Sequence, residues 1–368
     1  MKISSLDLKR QYETIREEIN EAVLEVIGSQ SFVLGPYVES FEAKIAQFCC
    51  IKHAIGVSSG SDALLLALMA CDIKNGDEVI TTPFTFFATA SSIARVGAIP
   101  VFVDIDPATY NIDVTKISAA INKKTKAILP VHLYGQCASM DTILDIARVH
   151  GLFVIEDAAQ AIGAAHKGNK AGSFGNIGCF SFYPTKNLGG YGDGGLITTN
   201  DDELAEFIKI LRVHGSKSKY YHSHIGINGR LDAIQAAVLS VKLEYLDSWS
   251  EKRRKIASYY HEHLKDLPIR LPQISLHNTH IFHQYVIATP ERDVLAKYLN
   301  NQGVETAIYY PVPLHLQKCF EYLGYKRGDF PEAERASNET LALPIFPEIT
   351  AKEQEQVISH IKKFISQR

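Results

Sequence analysis

Apolar and polar positions follow two rhythms along this chain. Glu13–Ile27 repeats apolar residues at helical spacing, Phe32-Val-Leu-Gly-Pro36 interrupts the pattern, and Val38–Phe48 resumes it. From residue 53 to 200 short apolar runs read as strands: His53–Val57, Glu78–Thr81, Ile99–Val103, Ala127–Val131, Phe153–Glu156, Cys179–Phe182 and Leu196–Thr199. Helices are predicted between them at Ser61–Met69, Phe87–Val96, Ile117–Ile121, Met140–His150 and Asp202–Arg212. Such alternation predicts an α/β fold, a mostly parallel sheet with helices on both faces. Ala233–Asp247 reads as a helix running into the charged Ser250–Lys255 and a smaller α+β unit. That unit has predicted strands at Ile269–Leu271, Tyr285–Ala288 and Thr306–Tyr309, and helices at Arg292–Gln302 and Ala351–Ile365.

Composition narrows the class. Over 368 residues, 46% hydrophobic and 21% charged, the chain can bury a large core and is neither fibrous nor structureless. Its 38 basic and 41 acidic residues are interspersed, and the net charge of -3 supplies no footprint for nucleic acid. Met1–Arg10 mixes charges with apolar residues and lacks the apolar core of an export signal. The longest strictly aliphatic stretch, Ala63–Cys71, falls far short of the roughly 20 residues of a membrane helix, so a cytoplasmic protein without membrane contact is expected. Six cysteines with no C-x-x-C pair read as reduced, mostly buried thiols. His277, His280 and His283 form H-x-x-H-x-x-H, a spacing that gathers imidazoles only on a helix. A strand is read directly after it, so these histidines are expected to be structural or partner-facing, and no metal is expected.

Two motifs suggest chemistry that their surroundings do not support. Gly56-Val-Ser-Ser-Gly60 fits G-x-S-x-G between a strand and a helix, and Asp157 and His315 follow Ser58 in the order of an α/β-hydrolase triad. The nucleophile elbow of that fold follows several strands, however, whereas only helices precede this one. Gly190-Tyr-Gly-Asp-Gly-Gly195 fits G-x-G-x-x-G, but a strand follows it rather than the helix that would meet a pyrophosphate.

A third set of residues is more coherent. Asp157 stands at the carboxyl end of a buried strand, where open α/β sheets place their ligands, although its D-x-x-Q spacing to Gln160 is also that of a capping box. Lys186 lies between an apolar strand and a Gly-rich loop. A lone lysine is ordinarily a solvated surface group, but this setting suits an amine whose pKa is lowered so that it can attack a carbonyl. Ser58-Ser-Gly-Ser-Asp62 opens an early helix, and Pro83-Phe-Thr-Phe-Phe87 ends a strand with aromatics that would otherwise be core. Together these meet the needs of pyridoxal phosphate (PLP). The lysine forms the Schiff base, the carboxylate keeps the pyridine nitrogen protonated, and the helix N-terminus binds the phosphate.

With these residues the sequence resembles the DegT/DnrJ/EryC1/StrS aminotransferases, PLP enzymes that aminate sugars. The resemblance runs through Phe32-Val-Leu-Gly-Pro36, Ser59-Gly-Ser-Asp-Ala-Leu64, Pro83-Phe-Thr-Phe86, Val103-Asp-Ile-Asp106, Val131-His-Leu-Tyr-Gly-Gln136, Glu156-Asp-Ala-Ala-Gln160, Ser181-Phe-Tyr-Pro-Thr-Lys186 and Gly226-Ile-Asn-Gly-Arg230. It implies the aspartate-aminotransferase-like fold (PLP fold type I). The large PLP-binding domain, with an N-terminal helical segment and a seven-stranded sheet, would span residues 1–247, and the small α+β domain residues 248–368. It further implies that Lys186 forms the Schiff base and acts as the base, Asp157 partners the pyridinium nitrogen, Phe86 stacks on the ring and Gln160 lies near its phenolic oxygen. Gly60, Ser61, Asp62 and Ser181 would surround the phosphate. The asparagine matched by Asn228 reaches the phosphate of the neighbouring subunit, which implies a homodimer with shared sites, although a turn residue would look the same.

The implied reaction moves an amino group from L-glutamate to a nucleotide-linked keto sugar. Tyr309-Tyr-Pro-Val-Pro-Leu-His315 and Asn228-Gly-Arg-Leu-Asp232 resemble the branch that aminates C3 of nucleotide-linked 3-keto sugars, with Tyr309 where many relatives have histidine. Arg230 could bind a uronic acid carboxylate bidentately, or hold structure. The favoured substrate is a UDP-linked 2-acetamido-3-keto-hexuronic acid for a surface polysaccharide such as the O-antigen of lipopolysaccharide, with Tyr310 and His315 as further substrate contacts. The alternatives are a dTDP-linked 3-keto-6-deoxy sugar, a 4-keto sugar, a hydrolase using Ser58, or a non-catalytic PLP-binding protein.

Overall fold

The computed structural model describes residues 2–367. Three helices come first: α1 (Leu8–Thr14), α2 (Arg16–Ser29) and α3 (Pro36–Cys49). The predicted helix Glu13–Ile27 is thus broken at Ile15, which leaves helical geometry at φ -134°. Gly35, at φ 78°, lets the chain turn before α3, and Pro36 occupies its first turn, where no backbone donor is needed.

The main sheet contains β1 (His53–Val57), β2 (Glu78–Thr81), β3 (Ile99–Phe102), β4 (Thr125–Ile128), β5 (Phe153–Asp157), β6 (Ile177–Ser181) and β7 (Gly195–Thr199). Their spatial order is β1-β7-β6-β5-β4-β2-β3. β7 is antiparallel to both of its neighbours, β1 and β6, and the remaining pairings are parallel. The strands are buried almost throughout because helices cover both faces, which is why they read as apolar runs rather than alternating ones. Those helices include α4 (Gly60–Ala70), α5 (Phe87–Arg95), α6 (Val114–Ala120), α7 (Met140–His150) and α8 (Asp202–Leu211). One core lies between α4, α8 and the sheet, and a second lies under α3 and α9 (Ala233–Leu243).

The consequence for function is topological. The carboxyl ends of β1, β2, β5 and β6 lie at one edge of the sheet, where β7 begins, and the loops leaving them converge.

After α9 the long helix α10 (Leu246–Leu264) leads into the smaller unit. There the strands β8 (Tyr285–Ala288) and β9 (Thr340–Leu343) pair antiparallel, flanked by α11 (Arg292–Asn301), α12 (Pro331–Glu339) and α13 (Ala351–Ser366). The strands expected at Ile269–Leu271 and Thr306–Tyr309 reduce to single bridges, Arg270 to Ala288 and Ala307 to Ala342. The chain's beginning joins this smaller unit rather than the large one to which the sequence assigned it. Ile3 bridges Val304 and packs in the core with Leu264 and Val357, and Arg10 Nη2 bonds Glu353 Oε1 at 2.7 Å. The two units are fastened by Asp104, whose buried carboxylate accepts from Glu332 N at 3.1 Å and Ala333 N at 2.9 Å, capping α12 from across the boundary.

Candidate active site

A cavity of about 500 Å³ opens at the convergent edge of the sheet. At one end is the N-terminus of α4. Ser59 caps this helix, its Oγ accepting from Asp62 N at 3.1 Å, and Ser59, Gly60 and Ser61 face the cavity together with Ser181 at the end of β6. The approach is close: a Cβ on Gly60 would lie 2.6 Å from Ser181 Cβ, and one on Gly195 2.3 Å from the Ser59 carbonyl. Backbone amides, hydroxyls and the positive end of a helix therefore meet in a cradle suited to phosphate. Asp62, expected among the phosphate ligands, does not line the cavity. Its carboxylate accepts from Ser58 Oγ at 2.6 Å and Ser59 Oγ at 3.2 Å and holds the helix start together, and a second anion there would repel phosphate.

Lys186 and Asp157 both face this space. The Lys186 turn is held by its backbone N bonding Tyr183 O at 2.8 Å. Its Nζ donates to no acceptor among the described residues. Desolvation lowers the amine from 10.5 to about 8, against the attraction of Asp157. Asp157 is buried, and its Oδ2 accepts from Thr89 Oγ1 at 2.8 Å and its Oδ1 from Ala159 N at 3.2 Å. Burial raises its pKa, opposed by these donors and by the Lys186 cation.

Support for Asp157 comes from its neighbour. Glu156 is wholly buried and accepts from the backbone N of Gly172, Phe174 and Gly175 and from His132 Nε2 at 2.8 Å. His132 Nδ1 accepts from Ala138 N, so the imidazole is a neutral ring protonated on Nε2. The Asp157 backbone is then fixed between Pro130 O and His132 N.

Gln160 is oriented from both ends, its Oε1 accepting from Tyr134 N at 2.8 Å and its Nε2 donating to Tyr310 Oη at 2.9 Å. The Tyr134 hydroxyl donates to the Tyr309 carbonyl. Phe86, about half exposed, forms a wall of the cavity with its ring 6.0 Å from that of Tyr310.

Besides Asp62, three further expected site residues lie elsewhere. His315 is enclosed: its Nε2 bonds Glu334 Oε1 at 3.0 Å and its ring meets Phe330 edge-on, because the short helical turn Leu314–Leu316 points it into the core instead of toward the cavity. Asn228 and Arg230 sit on the segment that bridges Val213 and Val57, outside the cavity of their own subunit, with Asn228 exposed. The hydrolase alternative fails on the same geometry. Ser58 Oγ is bound to Asp62, His315 to Glu334 and Asp157 to Thr89, so no triad assembles.

The sequence assigns no site role to the other lining residues. Thr85, Gln284 and Tyr309 are among them, as is His283, whose Nδ1 lies 3.0 Å from Asn187 Oδ1. Burial pushes the His283 imidazole well below its usual range, helped by the Lys186 and Arg253 cations. Of its H-x-x-H-x-x-H neighbours, His280 instead accepts from Phe282 N at 2.8 Å. Only tertiary structure separates these two roles.

Comparison with known proteins shows what the chain is similar to. A sequence model described as the DegT/DnrJ/EryC1/StrS aminotransferase family matches residues 13–362. A "Pleiotropic regulatory protein" of Geobacillus stearothermophilus is 54% identical over 99% of this chain and 99% of its own. A "dTDP-3-amino-3,6-dideoxy-alpha-D-galactopyranose transaminase" of Aneurinibacillus thermoaerophilus is 45% identical, covering 98% and 99%. A "UDP-2-acetamido-2-deoxy-3-oxo-D-glucuronate aminotransferase" of Pseudomonas aeruginosa is 42% identical, covering 94% and 95%. Among solved structures, S. venezuelae DesV in complex with a ketimine intermediate superposes with a TM-score of 0.97 at 41% identity, covering 99% of this chain and 98% of that one. NtdA of Bacillus subtilis with bound cofactor PMP superposes with a TM-score of 0.89 at 35% identity, covering 95% and 82%.

Proposed function

Because the chain belongs to the DegT/DnrJ/EryC1/StrS aminotransferase family, we propose that it takes an amino group from L-glutamate and delivers it to C3 of a nucleotide-linked 3-keto sugar. Sugar amination and dependence on PLP belong to the family. When bound, PLP supplies a carbonyl that carries the amino group between donor and acceptor and a ring that withdraws electrons from the reacting carbon. The observation that carries the proposal is one cavity lined by both an amine with no hydrogen-bond acceptor among the described residues, Lys186 Nζ, and a buried carboxylate held by two donors, Asp157.

The residues then divide the work. Lys186 would hold the cofactor, and its Nζ, when free, would be the base that moves a proton between the substrate carbon and the cofactor's carbonyl carbon. A pKa of about 8 leaves an appreciable neutral fraction near neutrality, which both tasks need. Asp157 would accept a hydrogen bond from the ring nitrogen. Ser59, Gly60, Ser61 and Ser181 would bind phosphate, Phe86 would cover one face of the ring and exclude water, and Gln160 with Tyr310 would fix its phenolic edge.

The charge inventory supports a shared site. Among the described residues that line the cavity, Lys186 and His283 are the only basic side chains, and His283 is held neutral. A phosphate dianion and the carboxylates of glutamate therefore need cations from outside the subunit. The exposed Asn228 and the nearby Arg230 of a second copy would complete the site in a homodimer.

The favoured acceptor is a UDP-linked 2-acetamido-3-keto-hexuronic acid, used in the cytoplasm for a surface polysaccharide such as O-antigen. C3 is supported by the names of both sugar-aminating relatives above, and the uronate by the Pseudomonas relative together with Arg230. The test compares kcat/KM for this uronate, its neutral UDP counterpart, a dTDP-linked 3-keto-6-deoxy sugar and a 4-keto sugar, in the wild type and in Arg230→Gln. The proposal expects the uronate to lead and to lose most in the variant. Equal losses across the panel remove Arg230 as the reason, and preference for another sugar moves the substrate assignment to it.

A further inference from the structure

Asp157 is held by a hydroxyl. Thr89, in the first turn of α5, is fully buried, and its Oγ1 lies 2.8 Å from Asp157 Oδ2. Thr85, also buried, places its Oγ1 3.0 Å from Thr89 Oγ1. The proton order follows. An ionised carboxylate only accepts, so the Thr89 proton is committed to Asp157, and Thr89 can bond Thr85 only by accepting. Two hydroxyl dipoles thus point along one line toward Asp157 Oδ2.

This is not how a buried helical threonine ordinarily disposes of its hydroxyl. A threonine in a helix commonly bonds the carbonyl three or four residues back, as Thr14 Oγ1 in α1 does with Gln11 O at 2.7 Å. Thr89 instead turns across to another element. A charged-acceptor hydrogen bond is stronger than a neutral one, and in a buried site it is the means by which a carboxylate stays ionised. The partners also fix direction: with Thr89 on Oδ2 and Ala159 N on Oδ1, the remaining lone pairs of Asp157 are left for the cavity it lines.

We propose that Thr89, backed by Thr85, is a positioning residue that keeps Asp157 ionised and aimed into the cavity, and through it sets the protonation of the cofactor's ring nitrogen. This rests on the reading that Asp157 meets that nitrogen.

The experiment uses full-length holoenzyme reconstituted with PLP labelled with ¹⁵N in the ring, whose chemical shift reports protonation directly. The variants are Thr89→Val, Thr89→Ser, Thr85→Val and Asp157→Asn. Wild type and Thr89→Ser should show the protonated resonance. Thr89→Val should move it toward the unprotonated position shown by Asp157→Asn, and slow the glutamate half-reaction roughly tenfold or more, the factor a hydrogen bond to a charged group carries. Thr85→Val leaves Thr89 in place and should give a smaller shift of the same sign, which keeps the test available should Thr89→Val not fold. An unchanged resonance in Thr89→Val and Thr85→Val, with a shifted one in Asp157→Asn, overturns the proposal while leaving Asp157 in its role. An unchanged resonance in Asp157→Asn overturns both.

Discussion

Replacing Lys186 with methionine should abolish transamination and at the same time stabilise the apoprotein. Methionine keeps most of the aliphatic stem and removes the amine. In the unfolded chain the amine holds its proton to an ordinary 10.5, whereas in the folded protein desolvation brings this to about 8, a value that already contains the attraction of Asp157. The interval of about 2.5 corresponds to roughly 3 kcal/mol at about 1.4 kcal/mol per pH unit. The sign follows from proton binding. Between pH 8 and 10.5 the unfolded chain retains a proton that the folded chain has released, so this group makes wild-type stability rise across that window. Below pH 8 the charged, poorly solvated amine imposes the full penalty, and above 10.5 none. Urea unfolding of the two cofactor-free proteins at pH 7, 9 and 10.5 measures the difference. Lys186→Met should lead by about 3 kcal/mol at pH 7, by about 2 at pH 9, and by a few tenths at pH 10.5. Equal stability at pH 7, or a lead that does not shrink with pH, would refute the claim that burial activates this amine.

Three further outcomes follow from the structure. Glu156→Ala strips the acceptor from three backbone N–H groups and from His132 Nε2, and should cost about 3–5 kcal/mol in urea unfolding, with Glu156→Gln costing less. A loss under 1 kcal/mol would show that the cluster is not needed. Gly60→Ala drives a methyl into Ser181 and should weaken PLP binding at least about tenfold in a fluorescence titration, so an unchanged Kd would remove the cradle from the phosphate site. Mixing inactive Lys186→Ala subunits with Arg230→Gln subunits should restore turnover, since each hybrid dimer has one site with Lys186 from one chain and Arg230 from the other. No restoration despite hybrid formation, shown by native mass spectrometry, would place Arg230 in its own subunit's site.

The sheet is legible in the sequence because strands buried on both faces appear as uninterrupted apolar runs, and the seven predicted strands are the seven of the sheet. The smaller unit is less so. α12 buries Ala333, Ala336, Ser337 and Glu334, leaving no stripe of large apolar residues to read, and β9 is only Thr-Leu-Ala-Leu. Prolines 268, 272 and 311 flank segments whose apolar patterns suggested strands but which extend no ladder beyond single bridges. At the site, Lys186, Asp157 and Ser59–Ser61 could be read because each stands at the end of a recognisable element. Thr89 and His283 could not, since a buried threonine or histidine looks alike in sequence whether it faces core or cavity. His315 misled for the opposite reason: it is near Tyr310 in the chain and turned away from it in space.

The most direct test of the account is the absorption spectrum of the PLP-loaded protein before and after addition of L-glutamate. If Lys186 holds the cofactor and glutamate is the donor, the visible band of the lysine-linked form gives way to the near-ultraviolet band of the amine form, with one 2-oxoglutarate released per site. A visible band that glutamate leaves unchanged, with no 2-oxoglutarate formed, would contradict it.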